Sequence, residues 1–109
     1  MPLECSDSTK LFKPLPTEYI GVKHDTGKLA WHLLPWLPIQ KVVEILMFGA
    51  KKYSPNNWQL VPDAETRYFD ASLRHLIAWK NGEKADPETG KSHLAHAACC
   101  ILFLLHFDK

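Results

Sequence analysis

Apolar residues recur at helical spacing in three segments of the chain. In residues 38–49 they lie three and four positions apart, the spacing of an amphipathic helix. Residues 63–80 repeat this pattern, and residues 93–106 are apolar nearly all round. The stripe of the second segment consists of Phe69, Leu73, Leu76 and Ile77. Because a helix that is apolar on every side is usually buried, the third helix is expected at the centre of a bundle.

Turn-forming residues separate the three segments. Asp63 and Ser92 are residue types that cap helix N-termini, and Gly49 is of the type that ends a helix. The polar stretch 49–63 and the charged stretch 82–91 are therefore predicted to be loops. No segment shows the alternating pattern of a strand. The fold class predicted is all-α, a small helical bundle.

The first 20 residues have a different character. They contain three prolines and lack periodicity, which indicates an N-terminal arm. The chain is thus predicted to consist of an arm, residues 1–20, and one domain, residues 21–109. A single domain of this size leaves much apolar surface exposed as a monomer, so a homodimer or homotetramer is expected.

Charge and cysteine content limit the classes of partner and compartment. Thirteen basic and twelve acidic residues give a net charge of +1, without the basic stripe of a nucleic-acid-binding protein. No apolar run reaches the ~20 residues that a bilayer requires, so no membrane partner is expected. Cys5, Cys99 and Cys100 lack the spacing of a disulfide framework. We expect reduced thiols and a cytoplasmic location.

Two acidic residues on the first two predicted helices could form a metal site. Glu44 is the sole acidic residue of the first helix, and Asp70 follows Phe69 of the apolar stripe. If both face inward, their oxygens would suit Mg²⁺ or Mn²⁺. The alternative is structural pairing, Asp70 with Arg74 and Glu44 with a lysine.

The loop after the first helix combines cations, an amide and aromatic rings. Lys51 and Lys52 could neutralise phosphates, while Asn57 and Trp58 could contact a base. The alternative is a solvated turn in which Trp58 anchors to the core.

Two histidines share one face of the third helix. His93 and His96 are three residues apart, a spacing that suits metal ligation. Glu83 and Asp86 precede them closely and could complete a metal site or supply a general base. Alternatively, the histidines are hydrogen-bonded structural groups.

Long compound motifs give the chain a family resemblance. The segments KHDTGKL, FGAKKYSPNNW and RHLIAWKNGEKADPETGKSHLAHAA resemble the phage and bacterial dATP/dGTP diphosphohydrolases, which belong to the all-α MazG-like nucleoside triphosphate pyrophosphatases. The similarity covers residues 21–107. It implies a MazG-like bundle and conversion of a purine triphosphate to its monophosphate and pyrophosphate, with dGTP or dATP as substrate. The MazZ members of the family convert dGTP.

The resemblance also implies site residues. MazG-like enzymes hold Mg²⁺ with an ExxE and an ExxD motif, of which this chain keeps the second acidic residue of each, Glu44 and Asp70. These two are expected as catalytic metal ligands with Mg²⁺ or Mn²⁺ as cofactor, and Glu83 and Asp86 as further ligands. Substrate contacts are expected from Lys28, Lys51, Lys52, Asn57, Trp58 and Arg74. The remaining candidates are Asp25, His75, His93 and His96.

Two other classes of function remain as alternatives. A phage-encoded helical interaction module would use the same aromatics as an interface. A histidine-based metal phosphohydrolase of the HD kind needs an adjacent His-Asp doublet on a helix, but the only such doublet, His24-Asp25, lies in a predicted loop.

Overall fold

The computed structural model describes residues 20–109, in which three α-helices dominate. They are α1 (Trp36–Lys52), α2 (Ala64–Lys80) and α3 (His93–Phe107). Short 3-10 turns occur at Trp31–Leu33 and Asn57–Leu60. In the described part no strand forms beyond one isolated bridge, which confirms the all-α class.

The chain divides into two compact units, Met1–Ala30 and Trp31–Lys109. All three helices belong to the second unit. The predicted arm, apart from its last residue, and the thiol of Cys5 lie outside the described residues. No helix in residues 20–109 is long and apolar enough to span a bilayer.

Helix α3 occupies the centre of the helical unit, as its apolar composition predicts. It packs against both α1 and α2, which make little direct contact with each other. Ala95 and Cys99 of α3 are buried against Val42 and Ile45 of α1. Small side chains on α3 let the neighbouring backbone come close, and the Cys99 thiol lies 3.7 Å from the carbonyl oxygen of Val42.

The helix ends agree with the sequence at α3 and differ elsewhere. The Ser92 hydroxyl oxygen accepts a hydrogen bond from the Leu94 amide at 3.0 Å, so the predicted cap is confirmed. Asp63 occupies the capping position of α2, but its left-handed backbone (φ 54°) accompanies a side chain that makes no capping bond. Helix α1 continues past Gly49 to Lys52. Lys51 and Lys52 therefore lie on its last turn and not in a loop. Their positive charges are favourable there because the C-terminal end of a helix dipole is negative.

The apolar stripe of α2 faces outward, contrary to the expectation that it forms the core. Phe69 is 52% exposed and Ile77 57% exposed. Tyr68 and His75 of α2 contact α3 instead: the Tyr68 ring meets the edge of Phe103, and Nδ1 of His75 lies 2.8 Å from Nδ1 of His93. The periodicity of the sequence identifies the apolar face of α2. It does not determine whether that face is buried within this chain or against a second chain.

The two cysteines of α3 are free and buried, as expected for reduced thiols. Burial, together with the charge of the neighbouring Cys100, raises the pKa of Cys99 to about 12. Burial raises the pKa of Cys100 to about 11. Both are therefore protonated near neutral pH and behave as small apolar side chains.

Candidate functional site

A closed hairpin joins α2 to α3 and brings its polar residues to the start of α3. An isolated antiparallel bridge joins Ala85 to Ser92. The His93 amide donates to the carbonyl of Lys84 at 2.9 Å, and the Asp86 amide donates to the carbonyl of Lys91 at 2.7 Å. These bonds hold residues 83–86 alongside the first turn of α3.

His93 is the most buried polar residue of this region and is bonded through both ring nitrogens. It is 4% exposed. Its Nε2 lies 3.0 Å from Oε1 of Glu83, and its Nδ1 lies 2.8 Å from Nδ1 of His75. A carboxylate oxygen can only accept, so in the neutral form of His93 Nε2 donates and Nδ1 carries the lone pair. The His93 lone pair therefore points at His75.

The hairpin fixes the Asp86 carboxylate. Its Oδ2 accepts the amide hydrogens of Glu88 and Thr89, each at 3.1 Å. Burial opposes the charged form, but these amides and the nearby His96 together hold the pKa of Asp86 below its usual value. Asp86 is thus an anchored anion at neutral pH.

His96 lies beside this pair, one turn further along α3. Its Nε2 is 2.8 Å from the Thr89 hydroxyl oxygen and 3.9 Å from Oδ2 of Asp86. Its ring stacks on that of His75, with centroids 4.7 Å apart and planes at 10°. Burial lowers the pKa of both His75 and His96, and for His75 the other two histidines lower it further. The neutral imidazoles that result are the form that binds metal ions.

Three side chains of this cluster converge as metal ligands do. The ligand atoms of His75, Asp86 and His93 all lie within 4.8 Å of one another, and no other group of three in residues 20–109 does so. The sequence pointed to His93 and His96 as the pair, by their helical spacing. His75 comes from α2, and only its place in the RHL motif marked it.

Glu44 and Asp70 lie outside this group and do not face inward. Oε1 of Glu44 is 3.2 Å from Nζ of Lys91, and its side chain is 51% exposed. Asp70 is exposed as well and forms no ion pair within the described part of the chain. For Glu44 the geometry is that of the alternative, pairing with a lysine.

The basic residues expected to contact phosphate lie in different parts of the chain. Nζ of Lys52 bonds Oε2 of Glu88 at 2.6 Å, and the backbone amide of Glu88 donates to Asp86. Lys51 and Arg74 are exposed, and Arg74 precedes His75 on α2. Lys28 and Asp25 belong to the other compact unit, where the Lys28 amide donates to the Asp25 carbonyl at 3.1 Å.

The aromatic residue expected to stack on a base packs within the bundle. The Trp58 ring stacks on Phe103 at 4.3 Å, with planes at 11°, and meets the edges of His106 and Phe107. One face of its indole is therefore occupied, as in the core-anchor alternative. The stretch of α3 from His93 to Phe103 is about 15 Å long at 1.5 Å per residue, so Trp58 and the histidine cluster lie at opposite ends.

Asn57 opens the 3-10 turn that carries Trp58. Its backbone amide donates to the Ser54 carbonyl at 3.1 Å. The side chain is half-buried. Its base contact stays a prediction.

The fold and the cluster together define a small helical protein in which histidine and carboxylate groups converge closely enough that they could hold a metal ion. Residues 19–109 match the family described as dATP/dGTP diphosphohydrolase, N-terminal, and the chain belongs to that family. The residues of the candidate site lie in its motif segment from Arg74 to Ala98.

A relative named dATP/dGTP diphosphohydrolase, from Salmonella phage PMBT28, is 34% identical to this chain over 84 residues. The alignment covers 77% of this chain and 28% of the relative. The chain thus spans little more than a quarter of the relative that it matches. No solved structure matches the chain.

Proposed function

We propose that this chain hydrolyses a deoxypurine nucleoside triphosphate, dGTP or dATP, to the monophosphate and pyrophosphate with Mg²⁺ or Mn²⁺. The observation that carries the proposal is the convergence of motif residues from α2, the hairpin and α3. Their sequence separation is large, yet His75, Asp86 and His93 meet. The phage relative supplies the name of the substrate class.

A bound divalent ion would supply two things to this reaction, a lower pKa for the attacking water and charge neutralisation on the phosphates. Of the described residues, the neutral imidazoles and the anchored Asp86 carboxylate fit such an ion. Glu44 and Asp70, the pair implied by the MazG-like resemblance, remain a proposal for additional oxygen ligands. The partner of Glu44 in the structure is Lys91.

Two lysines beside the cluster are suited to meet phosphate oxygens. Lys52 is paired with Glu88, and Lys91 with Glu44; all four side chains are 40% or more exposed. Exposed ion pairs contribute roughly 0 to 1 kcal/mol. A polyphosphate carries more charge than one carboxylate, so it can draw both lysines from their partners at little cost.

The reaction type is tested by product analysis. The purified chain is incubated with dGTP, dATP, dCTP or GTP and Mg²⁺ or Mn²⁺, and the products are separated by anion exchange. We expect monophosphate and pyrophosphate from the deoxypurines, and loss of turnover in EDTA that added Mn²⁺ restores. Release of orthophosphate and a diphosphate would refute the proposed bond cleavage, and full activity in EDTA would refute the metal.

The histidine cluster also favours a second candidate, a histidine-based metal phosphohydrolase. The His24-Asp25 doublet lies in the first compact unit, before the helices. However, His75, His93 and Asp86 form a comparable donor set without a doublet. The same assay separates the two candidates, because cleavage at the sugar would release the nucleoside and triphosphate.

A further inference from the structure

We propose that His75, Asp86 and His93 form a single metal centre that prefers a divalent transition-metal ion such as Mn²⁺ or Co²⁺ to Mg²⁺. We also propose that Glu83 positions His93 for this ion. As the centre of the hydrolytic reaction this rests on the proposed function. As a metal site it rests only on the contacts of these four side chains.

The bond between the two imidazoles marks where the ion would lie. Because His93 donates Nε2–H to Glu83, its Nδ1 lone pair points at Nδ1 of His75. In the ion-free form His75 must donate a proton across this 2.8 Å gap. A cation can take the place of that proton if His75 moves its own proton to Nε2, so binding requires a change of tautomer and a small movement of the two rings.

The spacing of the donors agrees with this assignment. Two nitrogens on one ion at about 2.1 Å lie roughly 3 to 3.4 Å apart, depending on the geometry. The Nδ1 atoms of His75 and His93 are already 2.8 Å apart, so a shift of about half an ångström would admit the ion. Asp86 completes the set, since a carboxylate has about four lone-pair sites and the two amides occupy only part of them.

The identity of the donors decides the preference among ions. Imidazole nitrogen suits transition ions, whereas Mg²⁺ prefers oxygen and keeps several waters. With two imidazoles in a set of three, the centre should bind Mn²⁺ and Co²⁺ in preference to Mg²⁺. Three protein ligands also leave positions open for water or a phosphate oxygen, as in catalytic sites.

Glu83 has a positioning role. Its carboxylate is 54% exposed but holds the 5% exposed ring of His93 through Nε2. A carboxylate on the far nitrogen of a metal-binding histidine fixes the tautomer and raises its basicity. His96 is occupied elsewhere, by the Thr89 hydroxyl and the face of His75, and is not assigned as a ligand.

The test is direct metal binding to the full chain. Protein stripped with a chelator and dialysed is titrated with Co²⁺, and the visible ligand-field absorption is followed. Mn²⁺ binding is measured by the electron paramagnetic resonance signal of the free ion. We expect one ion per chain, displaced by Zn²⁺, by Mn²⁺ only when Mn²⁺ is in excess, and not by a large excess of Mg²⁺.

Variants distinguish this centre from a purely structural hydrogen-bond cluster. His75→Ala, Asp86→Asn and His93→Ala should each abolish the absorption while circular dichroism shows retained helix. Glu83→Gln should keep the spectrum but weaken binding about 10- to 100-fold. The matched control is His32→Ala, a histidine exposed in the 3-10 turn Trp31–Leu33, which should bind as the parent does. If the buried His93 variant unfolds, His75→Ala and Asp86→Asn decide the question.

The centre is refuted if the parent chain binds no Co²⁺, or if folded His75→Ala and Asp86→Asn bind it as tightly as the parent. Its failure is distinct from that of the proposed function. Co²⁺ bound as expected without cleavage of any triphosphate would leave the centre and remove the function. Cleavage of a triphosphate without Co²⁺ binding would refute the metal centre and leave the proposed function standing.

Discussion

The family resemblance and the structure indicate different roles for Glu44. The MazG-like resemblance implies that Glu44 is a metal ligand, whereas in the structure its carboxylate bonds Lys91. Asp70, its expected partner, is exposed on α2, and α3 packs against both helices.

Turnover of charge-removing variants tests these two carboxylates. If Glu44 and Asp70 are ligands, Glu44→Gln and Asp70→Asn should each lose at least ~100-fold in rate, about 2.7 kcal/mol in the barrier. Both keep the size of the side chain, so folding should be unaffected. Glu65→Gln, an exposed carboxylate in the first turn of α2, is the matched control. Near-parental rates for either variant would make that residue structural.

Trp58 shows how one residue type can serve packing or recognition. Its ring lies against Phe103, and its carbonyl accepts the Tyr68 hydroxyl at 3.1 Å. Both contacts tie the 3-10 turn to the bundle. The residue therefore stabilises the fold, whatever it contributes to a base.

Removing the Trp58 ring should lower stability measurably. Trp58→Ala is expected to cost at least about 2 kcal/mol of unfolding free energy, since core aromatic truncations cost about 3 to 5 and this ring is half-buried. Trp31→Ala, a ring 65% exposed, serves as control and should change stability little. Urea unfolding followed by circular dichroism gives both values.

A recognition role for Trp58 needs a separate readout. Trp58→Phe keeps an aromatic ring, and if the residue contacts bases it should weaken binding of all purines together. Asn57→Ala should narrow the preference between dGTP and dATP, because an amide discriminates by hydrogen bonding. If both variants keep the parental kcat/KM values and ratios, base recognition lies elsewhere.

At the scale of elements, the hairpin between α2 and α3 brings the site together. It places Asp86 and Glu83 beside α3 through backbone bonds, and it uses glycines in left-handed conformations. Gly82 has φ +102° and Gly90 φ +71°. These backbone angles favour glycine because other residues are strained there.

Two glycine substitutions should have opposite effects on stability. Gly82→Ala should destabilise by about 1 to 2 kcal/mol, because alanine at positive φ is strained. Gly49→Ala, within helix α1, should stabilise by up to about 1 kcal/mol. A Cβ at either position meets no atom within 4 Å, so the difference isolates backbone conformation. Thermal unfolding checks both signs, and a Gly82→Ala protein as stable as the parent would contradict the strain.

At the scale of the whole molecule, an apolar face remains exposed on the helical unit. The α2 stripe is joined by α3 residues such as Ile101 and Leu105, which are 50% and 64% exposed. Between these helices lies an open groove of about 980 Å³, lined partly by Phe69 and Leu105. Large exposed apolar faces are typical of protein interfaces.

We expect a second copy of this chain to cover that face. The parent should then elute with a mass at least twice its 12.5 kDa in chromatography with light scattering. Phe69→Asp and Ile77→Asp should shift it toward monomer, because a charge at a buried apolar interface is strongly unfavourable. Leu60→Asp, on a residue 82% exposed in the 3-10 turn, is the control. A monomeric parent at micromolar concentration would contradict the expectation.

The sequence by itself determined the three helices, the Ser92 cap and the central place of α3. These features depend on local spacing and composition, so they can be inferred without knowing any distant contact. Helical spacing marked His93 and His96 as a pair. The family motifs also marked His75, Glu83 and Asp86 as candidates, although no spacing rule joins these three residues to that pair.

Only the tertiary structure decided which of these side chains meet. The contact of His75 with His93 depends on how α2 is rotated against α3, and that of Glu83 with His93 on the hairpin bonds. The same rotation turned the α2 stripe outward and left Asp70 exposed. Helical periodicity fixes which residues share a face, but the orientation of that face follows from the sum of packing contacts across the whole unit.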